Sequence, residues 1–214
     1  MRTGARQLWS HLVNHQATPR MVRAALHEVP FEDRDAWADL LWDVGEIPDD
    51  DRSLPRGCVP YLPCPVASVL SAVDDARVTS ADVFVDIGSG AGRSAFLVHA
   101  LTGACSIGLE IQPALVQAAA ARAAELKPDR LRFIETDAAH WVRPDSVGTV
   151  FFLYCPFSGE RLQRVLDALE GIARTRRIRV CSVDLAPFER SWLEPVPTTS
   201  ADLHVYQSSE IDAD

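Results

Sequence analysis

VFVDIGSGAGR, residues 83–93, decides the fold. The apolar run Val83, Phe84 and Val85 ends in Asp86, and Gly88, Gly90 and Gly92 follow at every second position. A helical pattern begins at once with Ser94, Phe96, Leu97, Val98 and Leu101. The stretch therefore reads as a strand, a glycine turn and a helix. Such a turn brings a nucleotide-like ligand against bare backbone at a helix N-terminus. The carboxylate of Asp86 at its mouth separates it from a plain glycine turn.

Outward from this turn the apolar pattern alternates between strand and helix periods. Residues 66–76 read as a helix before it. After it come strands at 105–110, 131–135, 147–154 and 177–184, separated by helices at 93–102 and 112–126 and by one capped by Ser158. Residues 147–154 (VGTVFFLY) are almost continuously apolar, as a central parallel strand buried on both faces should be. Two short segments, Ser191–Val196 and Asp202–Gln207, end the chain as a reduced hairpin. This alternation predicts an α/β fold with a doubly wound, mostly parallel sheet of seven strands over residues 59–214.

Residues 1–58 have a different pattern. Leu8, Trp9, Leu12 and Val13 mark one amphipathic helix. Thr18 caps a second, with Pro19 at its first position and Val22, Ala25, Leu26 and Val29 on one face. A third begins near Asp33 and carries Trp37, Leu40, Leu41 and Val44. Three short helices are too small to fold alone. They are expected to pack on the following domain as a lid, an acceptor wall or a homodimer surface. The acidic turn Pro48–Asp51 and the proline-rich VPYLPCP at 59–65 close this region.

The 214 residues are 47% hydrophobic, enough for a sizeable core, and the formal net charge is −9. The pI near 5.1 argues against a general nucleic-acid binder. One basic cluster, Arg174, Arg176, Arg177 and Arg179, reads as a solvated helix end. Five scattered cysteines, none in C-x-x-C spacing, indicate no metal or disulfide framework and fit a reducing cytoplasm. Cys105, Cys155 and Cys181 sit in strand-like runs and are expected to be buried thiols. No export signal and no membrane-spanning run of ~20 apolar residues is present.

Two ligand classes compete for the glycine turn. A dinucleotide uses G-x-G-x-x-G, with pyrophosphate on the helix N-terminus. Here the third glycine comes one position early, and Arg93 holds the place it would occupy. Asp86 would also repel a pyrophosphate. S-adenosylmethionine has no phosphate and carries an ammonium and a sulfonium, which suit an acid at the strand end. Glu110 closes the second strand and can accept both ribose hydroxyls, for either cofactor. Asp137 follows the third strand, where an acid can reach the adenine amino group or cap the short helix Ala138–Trp141.

Asp86, Gly88, Gly90, Gly92, Glu110 and Asp137 together resemble the class I, seven-β-strand, S-adenosylmethionine-dependent methyltransferases over residues 60–207. The resemblance implies that Asp86 and the backbone of Gly88, Ser89, Gly90 and Gly92 hold the methionine part. It implies Glu110 at the ribose, Asp137 and Ala138 at the adenine, and Ile111 as a further cofactor contact. Tyr61-Leu62-Pro63-Cys64-Pro65 is similar to the tyrosine-proline segment of small bacterial members and of non-SET protein-lysine methyltransferases, so Tyr61 would close over the methionine end. Its bland alternative is a rigid turn packing an aromatic.

After the fourth strand the sequence reads Tyr154-Cys155-Pro156-Phe157. By the resemblance this segment faces the methyl group. Family members acting on DNA bases or glutamine amides carry an Asp or Asn and a second proline here, and this chain has neither. The expected acceptor is thus an amine or other nucleophile on a protein side chain or small metabolite. Tyr154 and His140 are the candidate catalytic groups, and His99 reads as structural. The segment 184–192 is too short for the helix many relatives place between their fifth and sixth strands. Two other readings stand beside this one: a nicotinamide-dependent oxidoreductase on a related fold, and a non-catalytic cofactor-binding homologue.

Overall fold

The structure is a computed structural model and describes residues 1–51, 53–126, 130–143 and 146–209. Its sheet grows outward from β1 (Val83–Ile87). This strand pairs in parallel with β2 (Cys105–Glu110) on one side and β4 (Val150–Tyr154) on the other. Beyond β2 lies β3 (Leu131–Glu135), and beyond β4 lies β5 (Arg179–Val183), both parallel. The terminal hairpin, β6 (Leu193–Val196) and β7 (Leu203–Ser208), joins with β7 antiparallel to β5. The seven-stranded order is β3-β2-β1-β4-β5-β7-β6. The order reverses between β1 and β4, so a crevice opens beyond the carboxyl ends of these two strands.

Alternation along the central strands explains the two layers of helix. Phe84, Val150 and Phe152 face one core, and Val85, Ile87, Phe151 and Leu153 face the other. The first core is covered by α4 (Val66–Asp75), α5 (Arg93–Thr102) and α6 (Pro113–Glu125). The second is covered by α7 (Ala138–Trp141) and α8 (Gly159–Ala173). Ser158 stands at the N-cap of α8 as expected, but its hydroxyl makes no capping bond.

The sequence of α5, RSAFLVHALT, has almost no polar face, and eight of its residues are buried. A helix apolar all round needs cover on more than one side. The N-terminal helices supply it. Buried side chains of α1 (Arg2–Val13), α2 (Pro19–His27) and α3 (Arg34–Leu41) join Ala95, Phe96 and Leu97 in one core. Thr18 caps α2 by accepting from the Met21 N–H at 3.3 Å. α3 follows a 3-10 turn at Phe31–Asp33 and stops at Leu41, so Val44 lies beyond it, partly buried against the same core.

The basic cluster at 174–179 is only partly a solvated helix end. Arg174 pairs with Glu170 on the helix surface. Arg176 instead turns under the sheet and donates to the Ser146 and Gly148 carbonyls. Arg179 likewise donates to the Ala76 and Arg77 carbonyls and pairs with Asp82. These cations hold backbone carbonyls in the segment before β4 and just after α4. Among the described residues no helix is long and apolar enough to cross a membrane.

Candidate active site

The glycine turn lies at the carboxyl end of β1, against β2. The N–H groups of Gly88 and Ser89 both donate to the Leu109 carbonyl, at 2.8 and 2.9 Å. Gly92 then opens α5 as its N-cap. Two of the glycines are needed for close approach as well as for backbone angle. A Cβ on Gly90 (φ +53°) would stand 2.2 Å from the Tyr61 ring, and one on Gly88 (φ +79°) would stand 2.5 Å from Pro156. Tyr61 and Pro156 can therefore close on the turn only because both positions lack a side chain.

Glu110 is buried at the end of β2, and three backbone N–H groups hold its carboxylate. Gly90 donates to Oε2 at 2.9 Å, while Ile111 and Gln112 donate to Oε1 at 2.7 and 2.9 Å. The sequence placed Glu110 at a ribose, and the structure adds that it links the glycine turn to the start of α6. Asp86 is 3% exposed, and its Oδ2 has no hydrogen-bond partner. Burial pushes its carboxyl up to about 7, against a lowering hydrogen bond from the Ala95 backbone and with a further push from Glu110.

Asp137 caps α7 by accepting from the Ala139 N–H at 3.0 Å, so the capping role is the one its geometry displays. The same oxygen takes the guanidinium of Arg161, and the other meets His140 Nδ1 at 3.1 Å. Burial works to raise this carboxyl, but the Arg161 hydrogen bond, the Ala139 N–H and the neighbouring cations outweigh it and hold it below the usual range. Arg161 carries no sequence signal, because its partner lies 24 residues away.

Over these groups runs a strap, residues 50–51 and 53–62. Asp50 Oδ1 accepts from the Tyr61 N–H at 2.8 Å and from Gln112 Nε2 at 2.9 Å, and the Asp51 N–H donates to Gln112 Oε1 at 2.7 Å. Farther along, Val59 donates to the Pro156 carbonyl, Ser158 donates to the Gly57 carbonyl, and Cys58 bridges to Phe157. A cleft results, lined by Leu54, Val59, Tyr61 and Leu62 of the strap, Gly88 and Gly90, Glu110–Gln112, Thr136–Ala138, and Tyr154–Phe157 with Arg161. A smaller cavity adjoins it, lined by Tyr61, Asp86, Gly88, Ser89 and Tyr154 among others. The Ser89 hydroxyl itself abuts Gly108, 2.6 Å from where a Cβ there would stand.

Of the residues read from the sequence, Tyr61, Asp86, Gly88, Ser89, Gly90, Glu110, Ile111, Asp137, Ala138 and Tyr154 all line one or both cavities. Gly92 lines neither and acts through the helix start, where a Cβ would meet the Phe133 ring at 2.4 Å. His140 also lines neither; its side chain is 75% exposed and held on Asp137. His99 is half-buried and bonded to the Ala104 carbonyl at 2.9 Å, in a structural role. Cys155 is not in a strand. It follows β4 with φ +31° and lines the cleft, which corrects its reading as a buried strand thiol. Cys105 is likewise half-buried, whereas Cys181 is fully buried. Tyr154 has its phenol pushed up to about 12, by burial first and then by Cys64, Cys155 and Asp184, so it stays protonated at neutral pH.

These residues fit S-adenosylmethionine. An unpartnered buried carboxylate oxygen at the head of the glycine turn calls for a cation, which the cofactor's ammonium supplies and a pyrophosphate cannot. Residues 84–177 match the family profile described as "Methyltransferase domain". An RNA methyltransferase from Salinibacter ruber, solved with S-adenosyl-L-homocysteine, is 27% identical, with a TM-score of 0.53 over 72% of this chain and 98% of that one. An Escherichia coli protein assigned as a candidate methyltransferase shares the fold at 17% identity, with a TM-score of 0.57 over 76% of this chain and 91% of that one. No curated protein sequence matches the chain. The sheet order is that of the Rossmann-like methyltransferase fold, and these likenesses carry the activity: the chain is an S-adenosylmethionine-dependent methyltransferase. The nicotinamide reading falls with that result.

Proposed function

We propose that the acceptor is a neutral amine, or a comparable nucleophile, carried by a protein side chain or a small metabolite. The observation that carries this reading is the carboxyl end of β4. Tyr154 lines both cavities, and the segment after it, Cys155-Pro156-Phe157, brings no carboxylate or amide. Bound S-adenosylmethionine supplies a methyl group already activated toward displacement by its sulfonium. The protein's share is orientation and exclusion of water.

In this reading each residue of the cleft takes one part. The glycine turn and Asp86 take the methionine end, Glu110 the ribose, and Ala138 with Ile111 the adenine. Tyr61 and the strap cover the turn and keep water out. The protonated Tyr154 phenol orients the acceptor: an amine N–H donates to the phenol oxygen, which leaves the nitrogen lone pair free to point at the methyl. A lysine amine titrates near 10.4 in water and must shed its proton before it attacks. A phenol held protonated does not take that proton at neutral pH, so the amine enters the site already neutral.

A second reading, an RNA acceptor, is favoured by the Salinibacter ruber relative, which is an RNA methyltransferase. The net charge of −9 opposes it, since a polyanion gains no general attraction from this surface. The deciding experiment incubates the full chain and methyl-tritiated S-adenosylmethionine with separate protein, small-molecule and RNA pools from cells. Label in protein or small molecules supports the proposal. Label confined to RNA replaces it with the second reading. Cofactor binding with no label anywhere supports a homologue that has lost its chemistry.

A further inference from the structure

Beside the main cleft, the smaller cavity is lined by Tyr61, Cys64, Asp86, Ser89, Arg93 and Tyr154 among others. Two buried ionisable side chains of opposite sign line it, and each lacks a partner at one atom. Asp86 Oδ2 is one. The other is Nε of Arg93, a side chain 5% exposed. A buried polar atom left unpaired bears its full desolvation cost. Opposite orphans in one cavity therefore call for a ligand that carries both charges. A phosphate would satisfy Arg93 and be repelled by Asp86, and a simple amine would do the reverse. The zwitterionic amino-acid end of S-adenosylmethionine satisfies both.

The rest of the Arg93 guanidinium is held by groups that come before the turn in sequence. Nη1 donates to Asp39 Oδ1 at 2.8 Å. Nη2 donates to the Cys64 carbonyl and lies 3.3 Å from Asp35 Oδ1. Asp35 also accepts from the Val66 N–H at 2.8 Å, which fixes it against α4. Asp35 and Asp39 both belong to α3, so a helix of the N-terminal addition sets where this cation sits.

We propose that Arg93 binds the carboxylate of the cofactor's amino-acid end, opposite Asp86 on its ammonium, and that Asp39 holds the guanidinium in position. This rests on the cofactor reading of the cleft. It makes α3 part of the cofactor site as well as cover for α5, with Arg93 as the joint between them. It also accounts for an arginine where a dinucleotide turn would place its third glycine.

The test is calorimetric titration of the full chain with S-adenosylhomocysteine and with its decarboxylated analogue, which keeps the ammonium. Wild-type protein should lose about tenfold or more in affinity when the carboxylate is removed, as befits a charge-assisted pair. Arg93→Met should bind the two ligands equally, near the wild-type affinity for the analogue. Asp39→Asn should retain only part of the preference. Equal weakening of both ligands in Arg93→Met, or no preference in the wild type, overturns the proposal. Asp35 and Asp39 are more than half exposed, so losing Arg93 strands no buried carboxylate. If Arg93→Met still fails to fold, Arg93→Lys replaces it. That variant should keep a reduced preference, and an equal loss on both ligands would again overturn the proposal. No binding of either ligand to the wild type overturns the cofactor reading itself, and this assignment with it.

Discussion

Asp86 is the residue on which the site's pH behaviour turns. In the unfolded chain its carboxyl titrates near 3.8, and in the unliganded fold burial raises it to about 7. The folded protein therefore binds the extra proton between these values, and this group's contribution to stability falls as pH rises from about 4 to about 7. Above about 7 a charged carboxylate sits buried without a cation, and the cost is fully present. A ligand ammonium removes that cost only when Asp86 is ionised. The thermal shift produced by S-adenosylhomocysteine should thus grow from pH 6 to pH 8, with affinity falling by up to about tenfold per pH unit below 7. A shift that stays flat over this range would contradict the role given to Asp86. The residue was legible in the sequence, because an acid ending an apolar run before glycines is a local pattern. Arg93 was seen only as a missing glycine, since its partners Asp35 and Asp39 lie more than 50 residues away.

Among the elements, the helices and strands of the sheet keep closely to their apolar periodicity. The strand at Cys105–Glu110 and the helix at Arg93–Thr102 have the bounds their patterns mark. The strap was legible only as an acidic, proline-rich stretch. Its hold on Gln112 joins positions 61 and 62 residues apart, and no local pattern records such a pairing. The strap predicts a kinetic effect. Gln112→Ala removes two hydrogen bonds, each worth about 1 kcal/mol, that hold the strap down. Dissociation of S-adenosylhomocysteine, measured by stopped flow, should quicken by about tenfold while the pair of bonds from Ile111 and residue 112 to Glu110, made by backbone, persists. An unchanged rate would remove the strap from control of the cofactor's exit.

At the scale of the whole molecule, the N-terminal helices and the sheet share one core. The apolar stripes of these helices were enough to predict that they pack on the larger domain, and α5 supplies the reason. With Ala95, Phe96 and Leu97 fully buried, that helix cannot face water. A chain beginning at residue 59 is expected to lose cooperative unfolding in urea and to aggregate, because it would expose this surface. A soluble fragment with a sharp transition would show instead that residues 1–58 and 59–214 are separable units.

One contact between these parts gives the molecule an optical gauge. Trp42, just past α3, is buried and stacks on Phe96 with ring centroids 4.4 Å apart. Its indole N–H donates to the Ala91 carbonyl at 2.7 Å, inside the glycine turn. An indole held rigidly away from water emits at shorter wavelength than an exposed one, and its emission responds to the dipole it is bonded to. Any ligand that shifts the turn therefore writes its arrival into the intrinsic fluorescence, with no dye attached.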